Sequence, residues 1–553
     1  MNIQALLSHA LQLCQQGSFV EAKNIYSKLQ KTIPNNSQLL TNLGTVELKL
    51  GNYLLGIELL RKSTRLNPNQ LVALLNLGNA LLEQACYEES LEFYNKCILL
   101  NSNYAIAYYN RGRLFSLLNE YKKAVTDYKK AISIDPGNLI AYNNLGFALN
   151  KLKFNQEAIE CYDYLIRLNP NFSEVYLNRG VAFHDLKKYD EALLDYDKAI
   201  LLKPDYAEAY SNRGNTLYCL GRYDEALLDY DKAILLKPDY AEAYFYKSLI
   251  KLLFSEYIEG WQLYESRWKE GQLKNKLRVY SKPSWLGEES LDGKTILIYP
   301  EQGYGDLIQF CRYVPLLEKM GAKVILETPA SLVELMESLS PTLTVIKAGE
   351  ALPAFDFVCP MMSLPLALKT TLQTIPANIP YLSVSDSKRQ LWKEILGKKT
   401  KPRVGIVWSG SVEHKNDHNR SLDFKCLRPI LELPFEFHSI QKEVRDSDLD
   451  ALNKNKHIYQ HNNQLESFLD TAAIIQEMDL IISVDTSVSH LAGALGKKLF
   501  ILLPFSPDFR WMLHRDDSPW YRTATLFRQS KNNSWEEVIF KLIEELKYFF
   551  KTN

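Results

Sequence analysis

Three short stretches carry residue types that could do chemistry. "SVDTSVSHLAGALGK" (residues 483–497) places Asp485, Thr486, Ser487 and His490 between two apolar runs. Asp485, Thr486 and Ser487 are all good helix N-caps. A helix start carries about half a positive charge and free N–H groups, so a diphosphate could sit there without any catalytic side chain. A Ser-His-Asp triad fits poorly, because Ser487 and His490 share one short segment and no separate base activates them. "EQGYGD" (301–306) follows the strand-like run "TILIYP" and opens a helix expected over residues 307–320. Gly303 and Gly305 let the backbone approach a phosphate or sugar closely. Asp306, at the head of that helix, either caps it or takes a proton from an acceptor hydroxyl. A dinucleotide fingerprint needs a third glycine where Ile308 stands, and Asp306 would repel a pyrophosphate. "VWSGSVEHKNDHNRSL" (407–422) holds Ser409, Gly410, Lys415, Asn416, Arg420 and Ser421, a loop rich in anion donors. His414 and His418 have i, i+4 spacing but lack a third ligand, so no metal is expected. Two weaker signals are Asp446-Ser447-Asp448, a DxD pattern of the metal-binding kind whose recurrence in Asp195-Tyr196-Asp197 on a repeat helix shows how cheap it is, and the aromatic, charged run "RWMLHRDDSPWY" (510–521).

The elements that would hold these loops are of two kinds. Up to about residue 270 the chain repeats with a period of 34. Prolines stand at 34, 68, 136, 170, 204 and 238, and glycines at 44, 78, 112, 146, 180 and 214. Residues 189–210 and 223–244 are identical. Each unit reads as two amphipathic helices, with proline ending the second because it cannot continue it. Small residues fall where helices approach, and Tyr87, Tyr121, Tyr189 and Tyr223 are the expected gap-fillers. One unit cannot bury its apolar face alone, but a stack can. Asn42, Asn76, Asn110, Asn144, Asn178 and Asn212 keep the same period and should line one face of the first helices. Side-chain amides donate and accept together, so such a ladder could hold a peptide backbone whatever its sequence.

Beyond a polar connector over 271–293, strands and helices alternate in two blocks, 294–385 and 402–553, joined by a polar helix over 386–401. Alternation of this kind implies parallel sheets with covering helices, here two Rossmann-like domains facing a cleft. Lys plus Arg equals Asp plus Glu at 65 each, which gives no bulk reason to expect nucleic acid or an anionic membrane. No run approaches the roughly 18 apolar residues of a spanning helix. Eight scattered cysteines without a CxxC pair suit a reducing compartment, and the expected location is cytoplasmic.

The period and its positions resemble the tetratricopeptide repeat (TPR), with eight copies over about 3–270 implying a superhelix with a groove. The asparagine positions are similar to those of TPR-bearing protein O-GlcNAc transferases. "EQGYGDLIQFCRYVPLL" and "SVDTSVSHLAGALGKKLFILLP" resemble the GxGD and D-T-x-x-x-H-L-A loops of family 9 glycosyltransferases, the heptosyltransferase group. The wider order, "PSWLGE", "EQGYGD", "WSGSVEHKNDHNRSL", "LDTAAII", "VDTSVSHLAGALG", "LLPFSPDFRW" and "DSPWY", resembles bacterial TPR–glycosyltransferase fusions. That resemblance implies an all-α TPR superhelix followed by an α/β transferase of GT-B type. It also implies a nucleotide-sugar donor and inverting, metal-independent transfer without a cofactor. Asp306 would be the general base. Gly303, Gly305, Ser409, Gly410, Lys415, Asn416, Arg420, Asp485, Thr486, Ser487, Val488 and His490 would line the donor. The asparagine ladder would recruit a polypeptide acceptor. The competing expectation is an interaction scaffold with an inactive transferase-like half.

Overall fold

The computed structural model describes residues 3–552 except 270, 275, 414, 415 and 531–533. Sixteen helices run from Ile3 to Tyr264 among the described residues, as eight successive pairs. By compactness the chain divides into Met1–Asn212 and Arg213–Asn553. The cut falls inside the helix Ala207–Cys219, so the last repeats belong with the sheets rather than with the rest of the helical series.

The glycine period has a packing cause. A Cβ built on Gly78, Gly112, Gly146 or Gly180 would lie 2.6–2.8 Å from the ring of Tyr94, Tyr128, Tyr162 or Tyr196. Any side chain there would push the two helices of the pair apart. The gap-fillers are therefore these fully buried tyrosines, sixteen positions after each glycine. Tyr223 is buried as well, while Tyr87 and Tyr121 are half-buried and pack against the edges of the helical cores, and Tyr189 is half-buried against His184. Arginines placed just before some glycines brace the same pairs. Arg111 and Arg179 each hold a carboxylate through two N–H donors, Asp127 at 2.7 and 2.8 Å and Asp195 at 2.8 and 2.7 Å. Asp195, the apparent DxD residue, is thus structural.

In Arg213–Asn553 the strands are β1 (Thr295–Tyr299), β2 (Lys323–Thr328), β3 (Thr344–Lys347), β4 (Phe357–Pro360), β5 (Arg403–Val407), β6 (Glu436–Ser439), β7 (Ile458–Gln460), β8 (Leu480–Val484), β9 (Leu499–Leu503) and β10 (Ala524–Arg528). They form two parallel sheets, β3-β2-β1-β4 and β10-β9-β8-β5-β6-β7. β5, β8 and β9 are buried along their whole length, as expected of apolar strands covered on both faces. The six-stranded order is that of the doubly wound nucleotide-binding sheet, which binds ligands beyond the carboxyl ends of its strands where the order reverses. That reversal lies between β5 and β8, whose following loops are two of the three chemical stretches.

Three departures from expectation have physical reasons. The helix after β1 is broken into Tyr304–Phe310, a 3-10 turn Cys311–Tyr313, and Val314–Lys319. Pro315 has no N–H for the carbonyl of Cys311, so the turn tightens there. The connector is not merely polar: Trp285 is fully buried, and its N–H bonds the Val358 carbonyl at 2.8 Å, docking it on β4. The linking helix Asp386–Leu396 is anchored by buried Trp392, whose indole N–H reaches Asp470 at 3.3 Å.

On β6, His438 Nδ1 lies 3.0 Å from His461 Nε2, and both residues are buried. Burial, with His461 and Arg403 nearby, lowers His438 to about 3. The folded state therefore binds fewer protons than the unfolded chain between pH 6.5 and 3, and stability is lost as pH falls through that window. Urea unfolding should show His438→Gln flattening this acid loss, which reaches at most about 2 kcal/mol from pH 6.5 to 5. Parallel pH dependence in the variant would remove His438 as the cause.

Candidate active site

Three loops meet at the carboxyl ends of β1, β5 and β8. The closest contact is between the first and third. A Cβ on Gly305 would lie 2.9 Å from His490 Cδ2, so only glycine lets the helix Tyr304–Phe310 abut the helix Ser487–Ala494. Arg420 joins the second loop to the third, donating from Nη1 to the Asp485 carbonyl at 2.9 Å. Gly410 makes room for that guanidinium, since a Cβ there would lie 2.4 Å from Arg420 Nη2. Beside the first loop is a hollow of about 260 Å³ lined by Pro300, Gln302, Gly303, Tyr304, Leu307 and Pro329.

Asp306 has both oxygens engaged. Oδ2 accepts the Gly303 N–H at 2.8 Å, capping its own helix, and Oδ1 pairs with Arg510. Arg510 is buried and shared: its other terminal nitrogen donates to Asp508 at 2.7 Å. Neither Arg510 nor Asp508 was assigned a role from sequence, although the run 510–521 was noted for its composition. Asp485 is pushed up to about 6 by burial and by Asp508, against the pull of Arg420 and Arg510. Burial, and the nearby Arg510, Arg312 and Arg420, hold His490 well below its ordinary value, so it is neutral. The 3.7 Å approach of His490 Nε2 to Asp485 is therefore not an ion pair. The ring stacks on Trp511 at 5.4 Å and bonds the Tyr521 hydroxyl at 3.0 Å, a packing role between the two helices.

Thr486 is the N-cap of the helix Ser487–Ala494, with Ser489 Oγ accepting its N–H at 3.3 Å. Ser487 and Val488 are partly exposed on its first turn. Ser409 is held at 3.2 and 2.9 Å by Gln441 through its backbone, while its buried Oγ has no protein partner among the described residues. Asn416 stands at the N-cap position of the short helix Asp417–Arg420, and its Oδ1 accepts from Asn419 Nδ2 at 2.6 Å. Lys415 and His414 lie outside the described residues. Asp448, of the apparent DxD, accepts from Trp408 Nε1 at 2.9 Å and the Phe424 N–H at 3.2 Å, so it is structural. No His, Cys, Asp or Glu cluster suited to a metal occurs among the described residues.

A second buried charge cluster lies under the first loop. Arg267 donates from Nη2 to Glu301 at 3.0 Å and Ser363 Oγ at 2.8 Å, and from Nη1 to Glu265 at 2.6 Å. Gln302 Nε2 meets the Tyr264 hydroxyl at 2.6 Å. Trp261 stands edge-on to Phe310 and Phe509. The end of the last repeat thus forms the floor of the GxGD loop.

The asparagine ladder is present, but most of its amides are bonded to side chains of the neighbouring helices. Asn76 Nδ2 donates to Thr45 at 2.8 Å, Asn110 to Asn79 at 2.9 Å, Asn144 to the Tyr109 hydroxyl at 3.3 Å, and Asn178 to Asn143 at 3.1 Å. Asn42 accepts from Gln38 at 3.0 Å, and Asn212 is half-buried with its own contacts. Asn110 is buried at 4 % exposure, so it does not line an open face as expected.

Profiles of the tetratricopeptide repeat match residues 41–98, 105–138, 139–172 and 207–240, and a TPR repeat profile matches 182–221. The chain carries TPR repeats. It is 25% identical over 330 residues to Protein FlbA of Caulobacter vibrioides, covering 55% of each chain, so it spans about half the length of that curated relative. Among solved structures, the chain is similar to YrrB, a TPR protein with an unusual peptide-binding site, at 29% identity over 35% of this chain and 100% of that one, TM-score 0.31. A TPR protein from Parabacteroides merdae ATCC 43184 is 21% identical over 48% of this chain and 98% of its own, TM-score 0.36. No described helix is long and apolar enough to cross a membrane.

Proposed function

We propose that the chain is a glycosyltransferase of GT-B type that moves a sugar from a nucleotide-sugar donor to an acceptor hydroxyl on a polypeptide recruited by its TPR repeats. The observation that carries this reading is the convergence of Asp306, Asp485, Arg420 and Arg510 from loops at the ends of three parallel strands and the segment after β9. The sugar–phosphate bond breaks as the acceptor oxygen attacks the sugar carbon. The acceptor proton goes to Asp306, and the diphosphate leaves with the electron pair. Arg420, Arg510 and the start of the helix Ser487–Ala494 stabilise the departing charge. Arg510 has a double part, because a diphosphate competes with Asp306 for its guanidinium. As Arg510 turns to the phosphates, Asp306 Oδ1 becomes able to accept a proton.

The engagement of both Asp306 oxygens favours a second reading, a TPR scaffold whose transferase-like half is inactive. A panel of nucleotide sugars followed by thermal unfolding separates the two. A true donor at a hundred times its dissociation constant should stabilise the fold by about 2.7 kcal/mol. No shift with any member of the panel would leave the scaffold reading.

A further inference from the structure

The first helices of three consecutive repeats, Leu71–Glu83, Ala105–Leu117 and Leu139–Lys151, touch their neighbours in turn. Each presents an exposed aliphatic residue at the same position: Val72 (52%), Ile106 (45%) and Ile140 (60%). Leu117, on the same face as Ile106, is 58% exposed. Singly exposed apolar residues need no explanation, but a row at one position on adjacent helices does.

Arg113 lies on that face, between Ile106 and Leu117, and is half-buried. Unlike Arg111 and Arg179, it pairs with no carboxylate among the described residues. A guanidinium left without a carboxylate on a face that also presents aliphatic side chains is a site of complementary charge. The amides beside it already bond neighbouring side chains, Asn110 to Asn79 and Asn144 to the Tyr109 hydroxyl, so they add little grip on a passing backbone, and recognition falls to side chains.

We propose that this face binds an extended stretch of polypeptide with apolar side chains at every third residue and an aspartate or glutamate between them. Packed helices lie about 8–10 Å apart. An extended polyproline-type strand advances about 3.1 Å per residue with three residues per turn, so its same-side side chains recur at about 9 Å. Successive apolar side chains then meet Val72, Ile106 and Ile140, while the carboxylate meets Arg113. The proposal names the acceptor class for the transferase reading, and rests on that reading only for its purpose, since binding needs no transfer.

The test uses the full chain and three fluorescein-labelled peptides with valine at every third position, otherwise serine, with a central Asp, Asn or Lys. Anisotropy should show the Asp peptide binding at least about tenfold more tightly than the Lys peptide. Arg113→Glu should reverse that order, and Ile140→Ser should weaken all three. Both residues are partly or largely exposed, and a thermal scan confirms that the variants fold. Equal affinities, no binding of any peptide, or an order unchanged in Arg113→Glu would each overturn the proposal. Binding in the expected order without any donor-dependent stabilisation would count against the transferase and leave the groove standing.

Discussion

Arg267→Met should lower the unfolding free energy of the sheet-bearing unit by about 3–5 kcal/mol, the range for removing one partner of a buried ion pair. The side chains of Arg267 and Glu301 are both fully buried. Without the guanidinium, Glu301 keeps only weak support from the Met362 N–H at 3.2 Å. Burial already pushes this carboxyl up to about 7, with Arg267 opposing that rise. The variant must therefore bury a bare carboxylate or take up a proton. Arg267→Met with Glu301→Gln should recover part of the loss, because the uncompensated charge is then gone. Urea titrations of the two variants measure the coupling directly. A single variant losing less than about 1 kcal/mol would show that the cluster does not hold the loop.

Asp306→Asn should reduce transfer at least about a hundredfold without loss of donor-dependent stabilisation. Asparagine also caps a helix, so the fold is retained. The change removes both the proton acceptor and the anion that holds Arg510. Donor binding should therefore tighten rather than weaken if Arg510 is drawn to the diphosphate. Arg510→Lys provides the converse, a weaker donor shift, because lysine keeps the charge but loses the fork. Unchanged turnover in Asp306→Asn would remove it as the base. An unchanged donor shift in Arg510→Lys would remove the competition between the two anions.

The period was legible because glycine and tyrosine must meet once in every repeat. The inner strands β5, β8 and β9 were legible because a doubly covered sheet demands unbroken apolar runs; the outer β7 and β10, short or only partly buried, were not. The three chemical loops were legible because they follow such runs. Arg510 was not, since it lies 204 residues from Asp306 and no local spacing records that meeting. Arg267 was hidden for a related reason. It lies where the period fades, and only the folded floor of the GxGD loop shows why an arginine stands there. The partners of the asparagines were also invisible, because a regular column of amides looks the same whether it holds a ligand or its neighbours' side chains.

The compact division at Asn212 and Arg213 bears on how such a protein could be diversified. Recombination that exchanges repeats before that point would alter which partners are recruited without touching the floor of the chemical loop. A crossover at residue 270, where the period ends to the eye, would supply a foreign last repeat in place of Tyr264 and Arg267. The last repeats therefore travel with the sheet-bearing unit, and an exchange that leaves the loop's floor intact falls upstream of Arg213.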